Sequence, residues 1–159
     1  MIVIRCETGD DVQVDADDLA GASLRGANLH RALLGGLDLR KADLSGTDLR
    51  SAWLEESDLE GATLCEARLP ASNASRARFV RANLFDAFMR CANCEAADFT
   101  EADLRNANLG LSRLVGAIFD GADLRGADLA EADLKGSRAD KSTKWPTGFD
   151  PEAHGVLLR

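Results

Sequence analysis

Cys91 and Cys94 form a Cys-x-x-Cys, the one pattern in this sequence that redox or metal chemistry would use. A thiol pair at that spacing serves as a disulfide-exchange centre or as half of a zinc site. Zinc needs further ligands. The other cysteines, Cys6 and Cys65, stand alone, and the only histidines are His30 and His154. No nucleophile, base and orienting carboxylate fall together, and no glycine-rich phosphate loop occurs. The sequence predicts a protein that is not an enzyme and has no cofactor and no metal. Its thiols lack a disulfide-framework spacing. Its N-terminus, MIVIRCETGDD, has no secretory apolar run, and no stretch is long enough to span a membrane. These features predict a cytoplasmic protein.

The elements that must hold those residues come from a repeat. Stepping by five from Leu19 to Leu134 meets 24 positions in unbroken register, 18 of them Leu. Two residues before each sits a small residue, usually Ala, and the residue between is often Asp or Asn. A helix cannot use this period, because five residues advance roughly 500° and scatter the leucines around the axis. A single long strand fails too, since an odd period flips every second Leu to the other face. A short strand that bends after each repeat does work. Its Ala and Leu point inward, the residue between them points out, and two residues turn a corner. Cys94 then faces the core while Cys91 faces out, so the pair diverges. Phe79, Phe99 and Phe119 are 20 residues apart and are the only Phe at central positions. They stack on one face if each coil has four sides.

The tandem A(D/N)LXX pattern resembles the pentapeptide-repeat family, over about residues 15–139. The resemblance implies an all-β fold, a right-handed quadrilateral parallel β-helix of about six coils. At roughly 4.8 Å per layer the rod is about 29 Å long. Residues 1–14 are expected to form an N-terminal cap, with Ile2, Ile4, Val12 and Val14 inward and a turn at residues 8–11. Residues 140–159 are expected to cap the other end. Trp145 and Phe149 cover the last Leu layer, and a short helix begins near Pro151 and stops at Gly155. Val156, Leu157 and Leu158 then pack back or join a second subunit, giving a homodimer through the C-terminal end. Leu37 occupies an Ala position, where a local bulge or widened coil is expected.

Surface chemistry remains. The formal charge is −8, which disfavours direct nucleic-acid binding. Asp18, Asp38 and Asp58 stack on one face of a four-sided coil as a candidate acidic stripe, with Arg40 and Lys41 placed to offset part of it. Asp or Asn there also bonds nearby turn amides, and this bland role is the favoured one. The repeats between the caps carry −6, about a third of the roughly 17 charges on a DNA duplex of that length. The repeat does not require outward apolar groups, which makes Leu33, Trp53, Phe85, Phe88 and Leu111 candidate contact residues, set against ordinary surface scatter or cover from a terminal cap. The expected function is therefore a protein-interaction scaffold with a protein partner. An alternative comes from resemblance to the quinolone-resistance branch of the family, acidic rods that bind DNA gyrase in place of DNA. This chain has no inserted loop, fewer coils and a different tail.

Overall fold

The computed structural model describes residues 1–159. Its organisation follows from how five residues satisfy five backbone amides. Take the repeat around Leu24. The Leu24 amide donates to the Asp43 carbonyl in the coil above, at 2.8 Å, and the Asp43 amide returns a bond to the Ala22 carbonyl, at 2.9 Å. Gly26, second at the corner, donates to the Ser45 carbonyl at 2.9 Å, and the Ala27 amide closes the turn on the Leu24 carbonyl at 3.0 Å. Four amides are thus used. The fifth belongs to the first corner residue. Wherever Asp or Asn stands at the outward position between 28 and 133, its Oδ1 accepts that amide, as from Arg40 to Asp38 at 3.1 Å and from Ser75 to Asn73 at 3.2 Å. The Asp/Asn preference of the repeat is this bond.

Parallel bridges link outward residues 20 apart, from Ser23–Asp43 through Ile118–Arg138. Four such ladders run along the chain, so each coil has four sides. We number the sides by outward residue: side one carries Asp38 and Asp58, side two Asp43, side three Asp48 and side four Leu33 and Trp53. Each side contributes a single bridge rather than an extended strand, because two of every five residues are spent on a turn. Every second corner residue from 21 to 136 has positive φ, from 52° at Ser51 to 74° at Gly126, as the second central residue of a type II turn requires. Glycine fills nine of those corners and fifteen carry side chains. A side chain in this region costs about 1 kcal/mol or more, and the ladder bonds on either side hold it there.

The core is one continuous column of Leu and Ala. Central residues from Leu29 to Leu124 are fully buried, including Met89 and Cys94. Inward Thr47, Ser57, Ser72 and Ser112 replace Ala, and each hydroxyl donates to the carbonyl three residues earlier, for example Ser57 to Leu54 at 2.7 Å. Phe79, Phe99 and Phe119 do stack on side one, with centroids 5.0 and 5.4 Å apart and planes within 4°.

The expected distortion at Leu37 is absent. Its amide reaches the Leu34 carbonyl at 3.2 Å, its carbonyl accepts from Asp58 at 3.0 Å, and the Asp38–Asp58 bridge is regular. The side chain is relieved outward instead, 36% exposed, because residues 17–19 beneath it do not join the ladder.

At the N-terminus β1 (Ile2–Ile4) pairs antiparallel with β2 (Val12–Val14), burying Ile4 and Val14. Residues 5–7 continue along side four, where Cys6 bridges Ala32 antiparallel. At the other end one residue is inserted. The last bridge, Asp123–Lys144, spans 21 residues, and the Asp140 carboxylate repairs the break. Its Oδ1 accepts from the Gly121 amide at 3.1 Å, where a backbone carbonyl would otherwise serve, and from Ser142 and Thr143. The Ser142 hydroxyl donates to the same oxygen at 2.7 Å, and together with these amides it pulls the Asp140 carboxyl down to about 2.

The aromatic column continues through Trp145, Phe149 and His154, with centroid steps of 5.8, 5.2 and 4.4 Å. The expected tail helix is a single 3-10 turn, Glu152–His154, stopped by Gly155 at φ 80°. Val156 is buried, and β4 (Leu157–Leu158) pairs parallel with β3 (Arg138–Ala139). No helix is long and apolar enough to cross a membrane.

Candidate interaction surface

Only two of every five side chains lie inward, so the outward and corner residues carry whatever the molecule presents. Their charges largely cancel in place. Asp and Arg on either side of a central Leu point outward together, and the tripeptide Asp-Leu-Arg closes into a two-bond fork. Arg40 grips Asp38, with Nη2 to Oδ2 at 2.6 Å, and the same fork occurs at Asp48–Arg50, Asp103–Arg105 and Asp123–Arg125. The Arg40 guanidinium and backbone amide hold the Asp38 carboxyl down to about 2.

Between coils, Arg78 reaches Asp58 at 2.6 Å and Glu60 at 3.1 Å, and Arg81 reaches Glu60 at 2.7 Å. The stripe expected from Asp18, Asp38 and Asp58 is therefore not an acidic surface. Asp38 and Asp58 bridge one another on side one, but both are paired with arginine, Arg78 is the next outward residue, and Asp18 lies below the ladder without a bridge. The Asp-Leu-Arg tripeptides were the sequence signal for this cancellation. Acidity is concentrated elsewhere. Residues 1–18 hold six carboxylates against Arg5 alone, whereas residues 19–139 hold 18 carboxylates against 15 Lys and Arg.

The outward apolar residues separate into two groups. Leu33 and Trp53 are bridge partners on side four, 45% and 43% exposed. Exposed Leu37 and Val3 extend this group toward the N-terminal hairpin. Exposed Val3 carried no sequence signal, because its position on the hairpin's outer face follows from how that hairpin docks. Glu7 of the same segment pairs with Arg31 at 2.8 Å, and that guanidinium, followed by the Trp53 indole, holds its carboxyl below the usual range.

Phe85 and Phe88 flank one corner of sides two and three. Phe88 is exposed, while the Arg105 guanidinium lies over the Phe85 ring at 5.4 Å. Leu111 stands at the far corner of side three, one coil above Cys91, with φ 57°. The five residues thus form no single patch.

Apolar residues at the outward position carry a backbone cost. Behind Leu33, Trp53, Phe88 and Ile118, the amides of Gly35, Glu55, Arg90 and Asp120 lack the side-chain acceptor that Asp or Asn supplies elsewhere. A hydrogen bond of about 1 kcal/mol is forgone at each, with no core contact in return. Thr63, Arg78 and Arg113 at this position forgo the same bond, at the amides of Cys65, Val80 and Val115, but they place polar groups outward; behind Arg68, Pro70 removes the amide altogether.

Four inward hydroxyls serve carbonyls, the buried Ser137 hydroxyl has no partner, Cys94 is fully buried and its thiol is pushed up to about 12, and Cys91 is exposed. The His154 ring stacks on Phe149, and its Nδ1 lies 2.7 Å from the Asp150 carbonyl. No cluster of three His, Cys, Asp or Glu is arranged to hold a metal ion.

The family model for pentapeptide repeats matches residues 18–54, 42–79, 77–114 and 111–143. No curated protein matches. Among solved structures, HetL, a pentapeptide repeat protein involved in heterocyst differentiation regulation from the cyanobacterium Nostoc sp. strain PCC 7120, is 31% identical. The match covers 89% of this chain and 68% of that one, with a TM-score of 0.44. Rfr23, from the cyanobacterium Cyanothece 51142, is 38% identical over 69% of this chain and 64% of its own, at 0.35. QnrB1, a plasmid-mediated fluoroquinolone resistance protein, is 17% identical over 92% and 86%, at 0.43.

Proposed function

This chain belongs to the pentapeptide-repeat family, and from that premise we propose that it is a non-catalytic scaffold whose outward apolar side chains bind a protein partner. In this reading the coil is the right-handed quadrilateral β-helix of the family, working in the cytoplasm with its four thiols unpaired. The observation that carries it is the exchange at Leu33, Trp53 and Phe88. Each gives up the bond that Asp or Asn makes at that position, and each places an exposed apolar group there instead. At Phe88 the exchange returns no hydrogen bond within the molecule, and at Trp53 only that of the indole to Glu7, so the exposed apolar groups are left to bind a partner.

The test is affinity capture of partners from the source cell with wild-type, Trp53→Asn and Phe88→Asn protein. Asparagine restores the missing acceptor while the apolar contact is lost, and Phe88→Asn, which breaks no hydrogen bond of the fold, controls for the Trp53 bond to Glu7. A partner bound equally by all three proteins overturns the proposal.

The gyrase alternative rests on resemblance to the quinolone-resistance branch. The arginine forks weigh against it, because a rod that imitates DNA must present uncompensated negative charge along its length. It predicts inhibition of supercoiling that weakens when Asp38 and Asp58 are changed to Lys. A wild-type chain that neither inhibits supercoiling nor protects gyrase from a quinolone removes it.

A further inference from the structure

We propose that a notch at the N-terminal end, between β1 and the lower edge of side one, is a docking site for an extended, Lys- or Arg-bearing segment of a partner protein, whose backbone pairs with the one free amide and carbonyl there. This rests on the interaction-scaffold reading and gives it a location and a chemistry.

The notch exists because the ladder starts one layer late on side one. Asp43, Asp48 and Asp58 each donate to the coil below, and each carbonyl accepts from that coil. The amide and carbonyl of Asp38 make no backbone hydrogen bond, since residues 17–19 beneath it have left the coil. An open strand edge is a template for a further strand. Ser23 and Asn28 also end their ladders unpaired, but the Asp38 edge has an apolar wall opposite. It borders a hollow of about 570 Å³, whose other wall is Ile2, Val3 and Ile4 and to which Leu33 and Leu37 contribute. Val3, Leu33 and Leu37 are 51%, 45% and 36% exposed.

The rim decides the occupant. Asp17 and Asp18 line the hollow against Arg5, and Asp38, which also lines it, is held by Arg40. Asp17 and Asp18 are exposed and take no part in the molecule's ion pairs. They also belong to the segment that holds most of the net negative charge. An added strand places alternate side chains into and out of the hollow. Apolar residues entering it meet Val3, Leu33 and Leu37, while basic residues between them meet the uncompensated carboxylates.

The experiment titrates the ¹⁵N-labelled full chain with a synthetic peptide of alternating Val and Lys, about eight residues long, and with its Val/Glu counterpart. The Val/Lys peptide is expected to shift the amides of Val3, Leu33 and Asp38 and to slow exchange of the Asp38 amide. Asp17→Asn/Asp18→Asn and, separately, Leu37→Lys are expected to weaken it about tenfold. All three positions are exposed, so these variants keep the fold. Equal binding of the Val/Glu peptide, shifts confined to other sides, no binding, or self-association of the chain through this edge overturns the proposal. A natural partner lost with Trp53→Asn but retained by Asp17→Asn/Asp18→Asn would end the notch proposal and leave the scaffold reading standing.

Discussion

A single side-chain oxygen does much of the local work in this protein. Fourteen outward Asp and Asn residues each accept one turn amide, and four of the Asp also hold an arginine fork. Replacing an outward apolar residue with Asn therefore adds a bond. Phe88→Asn is expected to raise stability by up to about 1 kcal/mol, seen as a higher denaturation midpoint at unchanged slope. Unchanged or lowered stability would show that the Arg90 amide is already well served by water. Asp140 works harder, taking amides from Gly121, Ser142 and Thr143 across the inserted residue. Its carboxyl falls from an ordinary 3.8 to about 2 on folding. The stability it adds is full above pH 3.8 and is lost as pH falls through about 2. Asp140→Ala is expected to speed hydrogen exchange at Gly121, Ser142 and Thr143 and to flatten the acid limb of the stability profile. Equal exchange at those amides would count against the repair role.

Each side of the coil is too short to stand alone, and stacking gives it stability. The column on side one shows this, since Phe99 lies between Phe79 and Phe119 with parallel rings. Phe99→Ala is expected to cost about 3–5 kcal/mol, measurable by chemical denaturation, whereas Ser72→Ala restores the commonest residue of its position and stays within about 1 kcal/mol of wild type. The corners are strained units of the same element. Leu111→Gly relieves a side chain at φ 57° and is expected to raise stability by about 1 kcal/mol, while removing one candidate contact. A drop in melting temperature would show that the Leu111 side chain packs better than its exposure indicates.

The two ends of the molecule differ more than its middle. The lower end is acidic, with an open edge at Asp38. The upper end finishes on β4, where Leu157 and Leu158 are 62% and 48% exposed. A homodimer through that end buries both, so light scattering should give twice the monomer mass for wild type and a monomer for Leu157→Asp/Leu158→Asp. A monomer in both cases assigns the β4 edge no role in self-association.

The period of five determined a great deal by itself. It excluded a helix and a flat strand, placed Leu and Ala inward and Asp outward, and located the corner glycines. These are local facts about where successive side chains point, and they recur in every repeat. The 20-residue spacing of three Phe extended that reading to four sides. What only the tertiary structure decided depends on which layers meet. Arg78 neutralises Asp58 because it stands one coil above. Leu37 is exposed, without a bulge, because the chain below it leaves the ladder. Val3, Leu33 and Leu37 share one hollow because the N-terminal hairpin folds beneath side four. No pentapeptide encodes these contacts, because each joins residues one coil or more apart or a cap to a coil, and the free energy that selects them belongs to the stack.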